Sequence, residues 1–393
     1  MEEEIWHRLV FILSLHICPE EISGFFCMVT EEDIRFMERA LDLARRGEGW
    51  VNPNPLVGAV IVLDGRVIGE GWHERFGGWH AERNALRNCK EGADGATLYV
   101  TLEPCCHYGK TPPCTEAILE AGVKRVVVGM KDPNPLVAGK GIGLLREAGV
   151  EVEVGVCEEE ARRLNRAFVK YITERCPWVV MKNAMTLDGK IATCNGDSKW
   201  VTGEEARRMG HRLRHRCMAI MVGVGTVRAD DPMLDCRLEG EVRQPVRVVV
   251  DSKASIPLRS RLVMTASDYR TIVAHTEEAP QEHLRQLAEH GVETLLCGTR
   301  EGRVDCADLL GRLGESGIDS VLLEGGSELN GSFLTAKLID EAYVFIAPKL
   351  VGGAGAKTPV GGKGMLRMAE ALPLEEVECM GVGNDILVHG LIK

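Results

Sequence analysis

A chain of 393 residues with 45% apolar side chains is long enough, and apolar enough, to build two cores. A formal net charge of −11 and a pI near 5.6 argue against a partner that presents a phosphate backbone, so no nucleic acid is expected. No apolar run reaches the ~18 residues that span a bilayer, so no membrane partner is expected. The fourteen cysteines are scattered and read as reduced thiols of a cytoplasmic protein.

In chain order, residues 1–29 form an extension. The run LVFILSLHIC at 9–18 has the look of a short signal core. Glu2, Glu3 and Glu4 precede it where a basic cluster belongs, and no small-residue cleavage site follows. The expectation is that this is sequence upstream of the true start, with Met28 the initiator. Thr30 followed by Glu31, Glu32 and Asp33 caps a helix over 34–46. The turn NPNPLVG at 52–58 leads into a strand at 59–63, an Asp64-Gly65 hairpin and a partner strand at 67–71, with His73 just past its end.

Residues 78–114 carry the chemistry. His80, Cys105 and Cys114 are one imidazole and two thiolates, three of the four ligands of a tetrahedral zinc, with the fourth position left for water. Glu82, two residues from the histidine, suits a general acid/base rather than a ligand. His-x-Glu followed by Pro-Cys and a later Cys is the zinc nucleobase-deaminase pattern. Here the second cysteine lies nine positions on, where three is usual. A strand over 96–102 ends at Pro104, and a helix over 116–121 starts near Cys114. Two helix N-termini would therefore face one metal. Any one of these residues alone reads more plainly as a core cysteine or a surface histidine; the four together do not.

A strand at 125–129, the turn DPNP at 132–135, a helix at 142–148 and a strand at 150–156 complete a three-layer α/β domain with a mostly parallel sheet. A single helix over 158–173 leads to a boundary near 175. This divides the chain into 1–29, a domain at 30–174 and a domain at 175–393. The second half repeats the alternation, with strands at 178–184, 218–223, 246–251, 271–274, 293–297, 320–324 and 341–347 and helices at 204–215 and 281–290. Glu324-Gly325-Gly326-Ser327 and the stretch from Gly223 to Pro232 each follow a strand, as phosphate-cradling turns do. No G-x-G-x-x-G is present, so this is not a Rossmann fingerprint.

In this order, NPNP, HAE, TLEPCCHYGKTPPC, DPNP, KNAMTLDGKIA, ADDP and LLEGG resemble the bifunctional riboflavin-biosynthesis deaminase/reductases, from about residue 30 to the C-terminus. The resemblance implies two three-layer α/β domains, the first like cytidine deaminase and the second like dihydrofolate reductase. It implies hydrolysis of an exocyclic amine from a diaminopyrimidinone ribosyl-phosphate, then reduction of the ribosyl group to ribityl by NADPH. His80, Cys105 and Cys114 would hold one zinc, with Glu82 the proton shuttle. Asn54, His73, Lys110, Asp132 and Asn134 would surround the pyrimidine and its phosphate, the long loop carrying Lys110. The cofactor would meet Ala184, Trp200, Thr226, Asp230, Ser252 and the run Gly326, Ser327, Glu328, Leu329, Asn330, Gly331 and Ser332. The substrate of the second site would meet Ser198, Arg214, Leu234, Arg237 and Glu324, with Arg214 and Arg237 gripping its phosphate. Lys182 would lie beside the cofactor. A homo-oligomer is expected. Two other readings are a polynucleotide deaminase, which should show a Cys-x-x-Cys spacing and a basic face, and a structural zinc site, which would need a fourth protein ligand such as His107.

Overall fold

The computed structural model describes residues 29–109, 112–134 and 137–392. The expectation of an extension with Met28 as initiator falls on residues 1–28, outside the described residues.

Helix α1 (Glu31–Arg45) opens with the predicted cap made reciprocal. The Thr30 hydroxyl accepts from the Asp33 amide at 3.1 Å, and the Asp33 carboxylate accepts from the Thr30 amide at 3.0 Å. β1 (Gly58–Leu63), β2 (Arg66–Trp72), α2 (Ala81–Arg87), β3 (Thr97–Leu102), α3 (Cys114–Glu120), β4 (Arg125–Met130), α4 (Lys140–Glu147) and β5 (Glu151–Val154) follow. Alternation of side chains along the strands separates two faces. Val60, Val62, Tyr99 and Val127 pack with Phe36, Met37 and Leu43 of α1. Ile61, Leu98, Val100 and Val126 pack with Ala81, Ala85, Ile118 and Leu145 of α2, α3 and α4. The strand order is β2-β1-β3-β4-β5. β1 runs antiparallel to both β2 and β3, while β3, β4 and β5 are parallel. The sheet is therefore mixed rather than mostly parallel, because the hairpin turn reverses one strand that a crossover would have kept parallel. Gly71 lets α2 lie close on β2: a Cβ there would stand 2.3 Å from the Ala85 nitrogen.

The helix expected over 158–173 is two, α5 (Glu158–Leu164) and α6 (Arg166–Glu174). Asn165 breaks it. Its buried amide accepts from the Leu56 N–H at 2.8 Å and donates to the Leu56 carbonyl at 3.0 Å, so it pairs with the Asn/Pro turn like a strand neighbour.

The second half contains β6 (Trp178–Thr186), α7 (Glu204–Arg216), β7 (Ala219–Gly223), α8 (Val224–Asp230), β8 (Val246–Val250), α9 (Arg261–Met264), β9 (Thr271–His275), α10 (Gln281–Glu289) and β10 (Glu293–Leu296). After them come β11 (Thr299–Arg300), β12 (Arg303–Val304), α11 (Cys306–Glu315), β13 (Ser320–Leu323), α12 (Ser327–Thr335), β14 (Glu341–Ala347), β15 (Leu374–Val382) and β16 (Asp385–Ile392). Nine strands form one sheet in the order β10-β9-β8-β7-β13-β6-β14-β16-β15. The first seven in that order are mutually parallel, and β16 and β15 close the edge as an antiparallel hairpin. The seven strands read from the sequence are the parallel ones. The hairpin was missed because β15 is a largely exposed edge strand with no apolar alternation to reveal it.

The two halves meet at the N-terminal edge of the parallel strands. Asn52 donates to Asp319, just before β13, at 2.7 Å, and Lys170 bonds Asp340, just before β14, at 2.7 Å. A cavity of about 690 Å³ lies between them. On its wall, Glu341 takes bonds from Arg216 at 3.1 Å, His389 at 2.9 Å and Trp178 at 2.9 Å. Burial would raise the Glu341 carboxyl, but Arg216 and the two ring N–H groups outweigh it and keep it ionised. Among the described residues, no helix is long and apolar enough to cross a membrane.

Asp33 lies at the centre of the first core's polar network, taking bonds from Arg125 at 2.6 Å and the Tyr99 hydroxyl at 2.9 Å. Burial alone would raise its carboxyl, but these bonds and those from Thr30 hold it down at about 2. A depressed folded-state value stabilises above the unfolded value near 3.8 and loses that contribution as pH falls toward 2. Asp33→Asn should therefore cost about 2 kcal/mol at neutral pH, and the cost should shrink as pH falls below about 4. Denaturant titrations across that range check it.

Candidate active sites

The predicted zinc ligands converge. His80 is the N-cap residue of α2, Cys105 follows the end of β3, and Cys114 is the first residue of α3. His80 Nδ1 lies 3.4 Å from each sulfur, and all three ligand atoms lie within 4.8 Å of one another. Donors so spaced fit the edges of a zinc tetrahedron, and one nitrogen with two sulfurs is a donor set zinc takes. The Cys114 amide, at the start of α3, donates to Cys105 Sγ at 3.3 Å. Donation from the Cys114 thiol, with bonds from His80 and that amide, lowers Cys105 to about 4, and the same bond pushes Cys114 up. His107, the fourth ligand a structural zinc would need, is exposed and outside the cluster.

Glu82 is 3% exposed. Burial first, then the Cys105 charge, push it up to about 7, against the pull of His80. A carboxyl poised near neutrality can both take and give a proton. One cavity of about 350 Å³ gathers Glu82, His80 and Cys105 with Asn54, His73, Asp132 and Asn134. His73 donates from Nδ1 to the Trp79 carbonyl at 2.9 Å and accepts at Nε2 from the Asn54 amide at 3.1 Å. Burial lowers His73, so it stays neutral, and Asn54 keeps its carbonyl oxygen for the cavity. Lys110 lies outside the described residues. The loop that carries it is held at its far end by Arg83, which donates to the Pro112 and Pro113 carbonyls at 3.2 and 2.9 Å.

Glu103 went unread in the sequence, although it sits within the TLEPCC motif. It is 3% exposed and takes bonds from the amides of Asp132, Gly139, Gly141 and Ile142, at 3.0 to 3.3 Å. It thereby fastens the loop bearing Asp132 and Asn134 beside Cys105. Phe168 and Ile172, on α6, also line the cavity. A buried acid one residue before Pro-Cys was the available signal for Glu103; for Phe168 and Ile172 there was none, because they come from a distant helix.

In the second half, Ala184 on β6, Thr226 after β7, Ser252 after β8 and Gly326 after β13 share the C-terminal edge of the parallel strands, where α/β sheets take ligands. α12 starts at Gly326 with no side chain capping it. A Cβ on Gly325 would stand 2.5 Å from Asn330 Oδ1, and one on Gly326 would lie 3.4 Å from the Thr226 hydroxyl. This bare turn on an uncapped helix start fits a cofactor pyrophosphate. Ser327 and Ser332 are half-buried and Glu328 exposed, whereas Leu329, Asn330 and Gly331 are buried in packing. Asn330 bonds Asn183 at 2.9 Å and the Pro359 carbonyl at 2.9 Å, so its side chain holds loops together. Asp230 and Ser198 lie at the surface or half-buried near it, and Trp200 is 62% exposed with Arg207 stacked 4.7 Å from its ring centre.

Arg214 and Glu324, both expected at the substrate, are paired with each other. The Arg214 guanidinium fork is taken by Glu324, at 2.9 and 2.8 Å, with Lys182 at 4.0 Å from the same carboxylate. Burial would raise Glu324, but Arg214 and Lys182 outweigh it and hold it at about 2. Arg237 is exposed and only loosely paired, with Asp235 at 3.6 Å. Leu234 has its side chain in the core and a φ of 54°, leaving its backbone for any ligand.

Comparison with known proteins agrees in both halves. Residues 30–130 match the cytidine and deoxycytidylate deaminase zinc-binding region, and residues 177–388 match the RibD C-terminal domain. Riboflavin biosynthesis protein RibD of Actinobacillus pleuropneumoniae is 52% identical over 363 residues, 92% of this chain and 96% of that protein. The chain belongs to the RibD family. RibD of Aquifex aeolicus is 44% identical, over 92% of this chain and 99% of its own. Among solved structures, Acinetobacter baumannii RibD is 39% identical with a TM-score of 0.83, covering 92% of this chain and 99% of that one. A Thermotoga maritima diaminohydroxyphosphoribosylaminopyrimidine deaminase/5-amino-6-(5-phosphoribosylamino)uracil reductase is 42% identical, with a TM-score of 0.80 and the same coverage. As a RibD-family member the chain is a zinc-dependent deaminase fused to an NADPH-dependent reductase of riboflavin biosynthesis, with a cytidine-deaminase-like first domain and a dihydrofolate-reductase-like second.

Proposed function

We propose that the chain hydrolyses the exocyclic amine of 2,5-diamino-6-(5-phosphoribosylamino)pyrimidin-4-one and then reduces the ribosyl group of the product to ribityl. The observation that carries this reading is the single cavity joining His80, Cys105 and Glu82 to the polar wall of Asn54, His73, Asp132 and Asn134. The domains divide at about residue 175, between α6 and β6. His80, Cys105 and Cys114 hold the zinc, which when bound supplies the Lewis acidity that makes water nucleophilic near neutral pH. Glu82 moves a proton from the attacking water to the departing amine. Asn54, oriented by neutral His73, reads the pyrimidine edge, and Lys110 and Asn134 meet the substrate's phosphate side. In the second domain, Gly325 to Glu328 cradle the cofactor, Lys182 lies beside it, and Arg237 meets the substrate phosphate. NADPH, when bound there, supplies the reducing equivalent. Exposed Leu350, Leu366 and Met368, between β14 and β15, and the edge position of β15 leave apolar and strand surface for a second copy. The twelve cysteines among the described residues are all free, which suits a reducing cytoplasm.

Incubation with the diaminopyrimidinone ribosyl-phosphate, with and without NADPH, should give the deaminated ribosyl and ribityl products respectively, identified by mass. Cys105→Ala should lose zinc and deamination but keep reduction. Glu82→Gln should keep zinc and lose roughly 10²–10⁴-fold in deaminase turnover. Full zinc in the first variant, or ordinary turnover in the second, would refute these roles.

A Cβ at Gly326 would lie 3.4 Å from the Thr226 hydroxyl, and Gly326→Val should crowd the pyrophosphate, raising the KM for NADPH while deamination is untouched. Arg237→Ala should do the reverse, weakening the phosphorylated substrate by about 1.5–3 kcal/mol. Light scattering should report a mass of at least twice 43.1 kDa, and replacing Leu366 and Met368 by Glu should lower it.

A further inference from the structure

We propose that α6 is a substrate-contacting wall of the deaminase cavity, held in place by the reductase domain. The inference rests on the deaminase reading of that cavity and adds two residues and an inter-domain anchor to it.

α6 lies between the stretches matched by the two family models, at 30–130 and 177–388. Its start is tied to the first domain through Asn165 and Leu56. Its body divides into two faces. Phe168 and Ile172, four residues apart and so on one stripe, line the cavity that contains Glu82 and His80. Arg166 and Lys170 form a second stripe roughly 200° away, at about 3.6 residues per turn. That stripe is bonded to the second domain. Lys170 Nζ reaches both oxygens of Asp340 at 2.7 Å, and Arg166 reaches Glu376 at 2.5 Å. The neighbouring Tyr171 hydroxyl donates to the Gly314 carbonyl at 3.3 Å. Both ion pairs are formed with groups flanking β14 and in β15, far along the chain from the zinc ligands.

The cavity thus has a polar side, from Asn54, His73, Asp132 and Asn134, and an apolar side to which α6 contributes an aromatic ring. A flat heterocycle with hydrogen-bonding edges needs both: the polar groups read its edge and the ring covers a face. Phe168 and Ile172 are substrate-contacting residues of the deaminase. Lys170 and Asp340 are positioning residues that act through them.

The test uses the full-length zinc-loaded protein and the diaminopyrimidinone ribosyl-phosphate. Phe168→Ala should raise the deaminase KM about 10- to 100-fold, the loss expected when an aromatic face is removed from a base. Its zinc content and its reductase kinetics should not change. Asp340→Ala, in the other domain, should raise the deaminase KM several-fold with kcat nearly kept and reduction unaffected. Lys170→Arg, which preserves the pair, should restore the KM that Lys170→Ala loses. A purely structural role would lower the melting temperature of these variants without moving KM, and that result overturns the proposal, as does an unchanged KM in Phe168→Ala. Absence of zinc or of deamination in the unaltered protein would instead sink the deaminase reading on which the proposal stands.

Discussion

Three donor atoms must come within 4.8 Å of one another although His80 and Cys114 are 34 positions apart in the chain. Much of the first domain follows from that requirement. α2 must begin at His80, so the chain before it turns at Gly77-Gly78, and Gly71 must lack a side chain for α2 to lie flat. β3 must end at Leu102 to release Cys105, and α3 must begin at Cys114 so that its first amide reaches the Cys105 sulfur. The same geometry buries Glu82, and burial is what brings its carboxyl near neutrality. Placement of the donors and tuning of the acid/base are thus one arrangement.

The readable parts of this protein were those where chemistry is concentrated locally. Thr30 to Asp33 announced a cap, and most parallel strands of the second domain announced themselves by short, largely apolar runs, as strands covered on both faces do. His80, Glu82, Cys105 and Cys114 could be found because their side chains are few in kind and fixed in spacing. Asn165 was not legible, since nothing at its own position says that the backbone of Leu56 lies alongside. The pairing of Arg214 was not legible for the same reason: a guanidinium shows its charge in the sequence, but its partner Glu324 is 110 residues away. Edge strand β15 carried no pattern because water, not a core, lies against most of it.

Inter-domain contacts combine hydrogen bonds with ion pairs that range from part-buried to exposed. Asn52 reaches across to Asp319, Lys170 to Asp340, Arg166 to Glu376 and Arg75 to Glu241. Such pairs contribute little singly, yet removing one member of a part-buried pair strands the other in low dielectric. They therefore fix the angle between the halves more than they glue them. α6 inherits that angle directly, because one of its faces belongs to each side of the junction.

The first domain is docked on the N-terminal edge of the parallel strands, while the turns after β6, β7, β8 and β13 open at the far edge. The seven residues of β14 that lie between correspond to roughly 20 Å of extended chain. The turns read as the second site thus open away from the edge on which the first domain is docked. What the fusion secures is dosage: one chain carries the two catalysts in equal number.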